Sequence, residues 1–126
     1  MNVVLLSREY PPFLHGGIGS YTFILAHALA EAGHGVDVIA WTDGEEISVQ
    51  DDLVTVHRVR PYLVKPLCQR PLRWLHLYDF FPAVGDWIGW SYAAYRRVHG
   101  LQQRKRIDVI EAPDNTAHGY ASSFIR

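Results

Sequence analysis

The stretch NVVLLSREYPPFLHGGIGSYTFILAHALAEAGHGVDVIA, residues 2–40, decides the fold class. It opens with a short, continuous apolar run at 2–7, which predicts a β-strand buried on both faces, as in a parallel sheet. A loop rich in proline and glycine follows. Apolar residues then recur every three or four positions, which predicts a helix over residues 18–32 with Gly33 as its C-terminal stop. The core stripe of this helix is expected at Ile18, Tyr21, Leu25, Ala28, Leu29 and Ala32.

The middle of the chain continues with strands. Residues 36–42 predict a second buried strand, and residues 53–60 predict a third strand nearer the sheet edge. Between them, DGEEISVQDD, residues 43–52, is interpreted as an acidic surface loop. Residues 61–83 contain four prolines and are expected to be irregular.

The last third of the chain predicts a long helix, a strand and the start of another helix. The long helix is expected over residues 86–103, the strand over 107–113, and the opening turns of the last helix over 115–126. This order of elements predicts a Rossmann-like, doubly wound, mostly parallel α/β sheet, incomplete at its C-terminal side. The inward stripe of the long helix is expected at Trp87, Ile88, Ser91, Tyr95, Val98 and Leu101.

Length and composition limit the function classes. With 126 residues, the chain is expected to form a single domain over residues 1–126. The net charge of −1 gives no general attraction to nucleic acid. The single cysteine, Cys68, excludes an internal disulfide framework and favours a cytoplasmic compartment. The histidines show no metal-ligand spacing, so neither a metal nor another cofactor is expected.

The loop that enters the first helix has the chemistry of an anion-binding turn. Gly16, Gly17 and Gly19 lack Cβ atoms, so the backbone can approach a ligand closely. Free N–H groups at a helix N-terminus favour phosphate or carboxylate. The spacing is neither GxGxxG nor a P-loop, so a nicotinamide dinucleotide matches poorly. A glycine-rich turn without a ligand is the plainer alternative.

The segment SREYPPFLHGGIGSYTFILAHALAEAGHGVDVIA closely resembles the start of the family 4 retaining glycosyltransferases, which have the GT-B fold. Their pattern is a strand, then E-[YF]-P-P-x-x-G-G-[IV]-G-x-[YH], then a helix that ends in L-x-x-x-G-H-x-V-x-V. RIDVIEAPD, residues 106–114, resembles a later strand of the same family. The matched positions include Glu9, Pro11, Pro12, Gly16, Gly17, Gly19 and His34.

The resemblance implies an N-terminal, acceptor-side domain, apparently truncated before the C-terminal domain that binds most of a nucleotide-sugar donor. It implies that Gly17 and Ile18 contact the donor diphosphate through backbone N–H groups, with Gly16 allowing the approach; Gly19 belongs to the same predicted diphosphate-binding set. Stabilising charge that develops on the diphosphate would be the main catalytic task. Without the donor-binding E-x7-E motif, the chain alone is expected to be inactive.

Several further residues are candidates for the site. Many family members carry a histidine just after the later strand, but this chain has Glu111, Ala112, Pro113 and Asp114 there. His118 could serve as the catalytic residue instead, or be an exposed helix histidine. Loop ordering or binding of an acceptor could involve Glu9, His15, Glu111 and Asp114; a helix cap is the favoured role of Asp114.

Residues 60–81, RPYLVKPLCQRPLRWLHLYDFF, mix four cations with aromatic and aliphatic side chains. Such a composition suits weak contact with a membrane surface, at the inner membrane face, where a lipid-linked acceptor would lie. The alternative is a loop whose aromatic residues pack on the sheet. Three hypotheses for the chain remain: part of a glycosyltransferase, a Rossmann-like module of another class such as a dehydrogenase, or an inert remnant.

Overall fold

The structure is a computed structural model that describes residues 1–13, 16–62 and 81–113, without the side chains of residues 81–85. The predicted helix at 115–126 and most of the predicted irregular segment at 61–83 lie outside these residues. The elements, in chain order, are β1 (Asn2–Leu6), α1 (Gly17–Glu31), β2 (Gly35–Trp41), β3 (Ile47–Asp51), β4 (Val54–Val59), α2 (Phe81–Gln102) and β5 (Val109–Glu111).

The strands form one sheet in the order β3-β4-β2-β1-β5. β1 pairs in parallel with both β2 and β5, and β2 pairs in parallel with β4. Only β3, at one edge of this five-stranded sheet, runs antiparallel to its neighbour. The predicted mostly parallel α/β sheet is therefore confirmed, and the C-terminal ends of its four parallel strands share one edge.

The two helices cover opposite faces of the sheet, as a doubly wound fold requires. Alternate residues of β1 point to the two sides: Val3 and Leu5 pack in the core under α1, whereas Val4 and Leu6 pack in the core under α2. All four are at least 96% buried, which explains why the sequence of this strand is continuously apolar.

The buried face of α1 differs from the predicted stripe. Tyr21 is 55% exposed, and Ala28 and Ala32 are exposed too, while Leu25 and Leu29 are only partly buried. Small side chains occupy the innermost positions because they allow the helix backbone to lie close to the sheet. These buried positions are Gly19, Thr22, Ala26 and Ala30.

The predicted end of α1 is confirmed. Gly33 has a φ of +86°, a left-handed conformation that glycine adopts without steric cost. The N–H groups of Gly33 and His34 donate to the carbonyls of Ala30 and Leu29, at 2.9 and 3.1 Å. These hydrogen bonds satisfy carbonyl groups of the last helical turn, and the chain then turns into β2.

The acidic segment 43–52 was predicted wrongly as a loop throughout, because Ile47–Asp51 forms β3. Most of this strand is exposed, so it lacks the apolar pattern of a buried strand. It exists because it pairs with β4 through a tight turn at Asp52, where φ is +53°. As a result β4 has a neighbour on each side and does not form the edge.

α2 begins at Phe81, five residues before the predicted start. Ser91, Val98 and Leu101 are buried as predicted, whereas Ile88 is 54% exposed and Trp87 and Tyr95 are only half-buried. The wrongly predicted residues lie at the border of the helix face that packs on the sheet, next to the buried positions in sequence. Other residues buried on that face are Trp90, Ala93 and Ala94.

The chain that leaves β4 crosses α2 at Gly89. The N–H of Tyr62 donates to the carbonyl oxygen of Gly89 at 3.2 Å. A Cβ atom at position 89 would lie 2.1 Å from the carbonyl oxygen of Tyr62, so only glycine permits this approach. Neither described helix combines the length and apolarity needed to cross a bilayer.

Candidate functional site

The N-terminus of α1 is open. Gly16 is the N-cap residue, its backbone is extended, and no side chain of the described residues caps the helix. The first turn contains no acidic residue. A Cβ atom at Gly17 would meet no atom of another described part of the chain within 4 Å. Among the described residues, the N–H groups of the first helical turn have no side-chain partner, and they lie at the edge where the parallel strands end.

Glu9 faces this turn from the other side of the loop. A Cβ atom at Gly16 would lie 3.3 Å from Oε2 of Glu9, so glycine gives the carboxylate room. Oε2 itself is buried and has no hydrogen-bond partner in the described part of the chain. A buried carboxylate oxygen without a donor is costly, which makes it a natural acceptor for a ligand hydroxyl.

The first half of the loop is fixed to β2. The N–H of Ser7 donates to the carbonyl of Ile39 at 3.0 Å, and the N–H of Trp41 donates to the carbonyl of Arg8 at 3.3 Å. The hydroxyl of Ser7 donates to the carbonyl of Glu9 at 2.7 Å. Because of these bonds, the first loop residues continue alongside β2, and the backbone of Glu9 is held in place.

The second half of the loop is held by residues that the sequence analysis did not single out. Tyr10 is almost fully buried, and its hydroxyl donates to Asp51 of β3 at 3.2 Å. Burial and the neighbouring carboxylate both raise the pKa of Tyr10 above its ordinary value. Arg58 of β4 donates to the carbonyl of Pro11, and its guanidinium lies 5.3 Å from the ring centre of Phe13. The edge hairpin therefore anchors the loop.

Glu111 meets α1, as expected if the two loops share one sheet edge. The hydroxyl of Tyr21 donates to Oε1 of Glu111 at 3.0 Å. This hydrogen bond to a carboxylate raises the pKa of Tyr21. The pair borders a small pocket whose floor is apolar. The pocket is lined by Leu5, Leu6, Tyr21, Thr22, Leu25, Glu111 and Pro113.

The predicted site residues thus fall into two groups. Glu9, Gly16 and Gly17 lie together around the α1 N-terminus, with Ile18 half-buried and Gly19 buried within its first turn. Glu111 of β5 lies beside Tyr21, which follows Gly17 by one turn of α1. Three predicted residues lie outside the described residues, and their roles stay predictions: His15, Asp114 and His118.

A second polar cluster lies on the α2 side of the sheet. Asp37 is buried, accepts from Nε2 of His57 at 2.9 Å, and is paired with Lys105. Burial alone would raise the pKa of Asp37, but the bonds from His57 and Lys105 outweigh it and hold the pKa below its usual range. Nδ1 of His57 lies 2.8 Å from both Arg97 and Ser48. Among the described residues, no group of three or more His, Cys, Asp or Glu side chains could hold a metal ion.

Comparison with known proteins identifies the family. The family model described as the glycosyl transferase 4-like domain matches residues 16–125. The chain belongs to this family. The match includes the open α1 N-terminus, both residues of the Tyr21–Glu111 pair and the whole sheet except β1. This glycosyl transferase 4-like domain therefore has the transferase ancestry that the sequence resemblance implied.

Curated relatives match shorter parts of the domain. An uncharacterized glycosyltransferase of Methanocaldococcus jannaschii is 38% identical over 63 residues, which are 48% of this chain and 16% of that protein. Glycogen synthase of Mycobacterium tuberculosis is 45% identical over 40 residues, 32% of this chain and 10% of the synthase. The stretches matched by the glycosyl transferase 4-like domain thus cover about a sixth or less of the length of these relatives.

Among solved structures, one described as trehalose-6-phosphate from E. coli bound with UDP-2-fluoro glucose is similar at 15% identity. The similarity covers 89% of this chain and 27% of that chain, with a TM-score of 0.42.

Proposed function

We propose that this domain is the N-terminal, acceptor-side part of a family 4 retaining glycosyltransferase of GT-B fold. The enzyme transfers a sugar, of hexose type, from a nucleotide-sugar donor to a glycan, lipid or small-molecule acceptor. The observation that carries the proposal is the N-terminus of α1, on the edge where the parallel strands end. No described side chain caps it, and no described residue outside the turn lies within 4 Å of a Cβ atom at Gly17.

The donor diphosphate binds at this N-terminus. The N–H groups of Gly17 and Ile18 donate to its oxygens, and the helix dipole favours the negative charge. Because the loop is fixed to β2 and to Arg58, these donors are already in position before the reaction starts. Fixed donors stabilise charge that develops on the leaving diphosphate without reorganisation. The C-terminal domain supplies the remaining donor contacts, so residues 1–126 alone do not catalyse transfer.

The acceptor binds beside the same turn. Oε2 of Glu9, which has no partner among the described residues, accepts a hydrogen bond from an acceptor hydroxyl, and Glu111 offers a second carboxylate beside a pocket lined by leucines. Apolar surface with a few placed carboxylates suits the faces and hydroxyls of a sugar. His15, Asp114 and His118, which lie outside the described residues, complete this proposal, with His118 as the candidate catalytic residue. No metal takes part.

The biological setting follows from the same proposal. The enzyme works in glycan biosynthesis in the cytoplasm, and residues 60–81 give it weak peripheral contact with the inner membrane face. This segment lies mostly outside the described residues, so the proposal rests on its composition.

The test is the Gly17→Val substitution in the full-length enzyme. A Cβ at this position meets nothing within 4 Å, so the fold should tolerate the change while the side chain blocks the diphosphate. We expect turnover of a panel of UDP-, GDP- and ADP-sugars to fall by roughly 100-fold, the usual cost of losing such donors. Gly100→Val is the matched control, because Gly100 of α2 also has open space and lies away from the site.

Two results would contradict the proposal. Unchanged kinetics of the Gly17→Val enzyme would refute the role of the turn. Tight binding of NAD in a calorimetric titration, without binding of nucleoside diphosphates, would refute the glycosyltransferase function and favour a dehydrogenase module.

A further inference from the structure

The charges of this chain are segregated along the sequence. Between Arg60 and Arg106 lie nine of its twelve lysines and arginines, but only two of its thirteen acids, Asp79 and Asp86, a net of +7. The whole chain has a net charge of −1. The near-neutral total therefore hides a strongly basic segment, which includes α2.

One face of α2 points away from the sheet and presents apolar and aromatic side chains. Ile88 is 54% exposed and Tyr92 is 49% exposed. Tyr62, 43% exposed, packs its ring against Tyr92 at 5.2 Å in an edge-to-face arrangement. We call the stripe of exposed residues at steps of three or four the α2 outer face. It comprises Ile88, Tyr92, Arg96 and His99, with Gln103 just past the end of the helix and Tyr62 beside it.

The cations on and beside this face are accessible. The guanidinium of Arg96 lies 5.5 Å from the ring centre of Tyr62 and donates to its hydroxyl. Arg104 follows the end of the helix and is exposed. Within the described residues, neither Arg96 nor Arg104 forms an ion pair with a carboxylate. Arg106 is 89% exposed and pairs at 3.1 Å with Asp108.

We propose that the α2 outer face is a docking surface for an anionic lipid bilayer. Tyrosine rings with a polar tip and an isoleucine suit the boundary between headgroups and acyl chains, where arginines reach the anionic headgroups. A nucleic acid would favour cations along the whole helix, but the half of α2 that begins at Asp86 contributes no cation before Arg96. The inference stands on charge and exposure alone, and does not depend on the glycosyltransferase function.

The experiment is flotation of the full chain with vesicles of phosphatidylcholine, with and without one third phosphatidylglycerol. We expect binding to the anionic vesicles at low salt, little binding to the neutral ones, and release at high salt, because the attraction to surface charge is screened. Arg104→Gln should weaken partitioning by roughly fivefold, the effect of one cation near such a surface.

A matched pair of isoleucines tests the apolar part of the surface. Ile88→Ser should lower the bound fraction severalfold, because one inserted side chain is lost. Ile24→Ser should not change it, since Ile24 is 66% exposed on α1, on the other side of the sheet. The proposal is overturned if neither vesicle is bound, if both isoleucine variants lose binding equally, or if Ile88→Ser instead dissociates a dimer seen by light scattering.

Discussion

Arg58 of β4 donates a hydrogen bond to the carbonyl oxygen of Pro11, 47 residues earlier in the chain. The same guanidinium lies over the ring of Phe13, and burial lowers its pKa. Through this contact the edge of the sheet sets the course of the loop that leads to Gly16 and Gly17. A side chain remote in sequence therefore holds the described loop residues that precede the candidate diphosphate site.

Replacing Arg58 by methionine should loosen this loop. The change keeps much of the side-chain volume but leaves the Pro11 carbonyl without its charged donor, which should cost about 1–2 kcal/mol of unfolding free energy. Hydrogen exchange at the Phe13 amide, which donates to the Tyr10 carbonyl at 3.0 Å, should become faster. Arg60→Met is the control, because Arg60 is exposed one residue beyond the same strand. Equal effects of both variants would show that Arg58 has no special role.

The bond between Tyr21 and Glu111 should be visible in the titration of the phenol. Because the Glu111 carboxylate accepts from the Tyr21 hydroxyl and repels a phenolate, it raises the pKa of Tyr21. Glu111→Gln removes the charge, so the pKa should fall back toward about 10, and the phenolate should form at lower pH. Tyrosine NMR with the Tyr21→Phe variant as assignment reference measures this. An unchanged titration would mean that the two side chains do not meet in solution.

Asp37 should make the stability of the domain depend on acid pH. Its pKa is lowered in the folded state, so its contribution is present above the ordinary carboxyl pKa, about 3.9, and is lost as pH falls through the folded value. Asp37→Asn should flatten this part of the stability profile. At neutral pH it should also cost about 1–3 kcal/mol, less than a fully buried pair, because Lys105 is 35% exposed. Chemical denaturation from pH 2 to 7 measures both effects.

The matched control for Asp37 is Asp43→Asn, an exposed acid just beyond the end of β2. Its removal should leave the acid limb of the stability profile unchanged. If the two variants lose the same part of that limb, the Asp37 cluster is not its source.

Two glycines of α2 should respond in opposite directions to alanine. Gly89→Ala places a methyl group 2.1 Å from the Tyr62 carbonyl, so the crossing must open, and we expect a loss of about 2 kcal/mol or more. Gly100→Ala meets nothing within 4 Å and should gain up to about 1 kcal/mol from helix propensity. Thermal unfolding of both variants tests this. Stabilisation by Gly89→Ala would contradict the close approach of Tyr62.

The local sequence determined β1, α1 and β2, because their apolar periods and the stop at Gly33 act within a few residues. The parallel order of the strands also predicted that the loops after β1 and β5 lie on the same edge of the sheet. By contrast, β3 was missed because an exposed edge strand needs no apolar face. It is a strand because its backbone pairs with β4. The inward face of α1 was misplaced because close approach to the sheet favours small residues over large ones.

The site divides in the same way. Glycines before a helix and an acid at a strand end are local signals, so the sequence by itself was enough to propose Gly16, Gly17 and Glu111 as site residues. Only the tertiary structure decided which side chains hold them. Arg58 and Pro11 are 47 residues apart, and Tyr21 and Glu111 are 90 residues apart. Such contacts leave no periodic trace in the sequence, because they depend on strand order and on how closely each helix lies against the sheet.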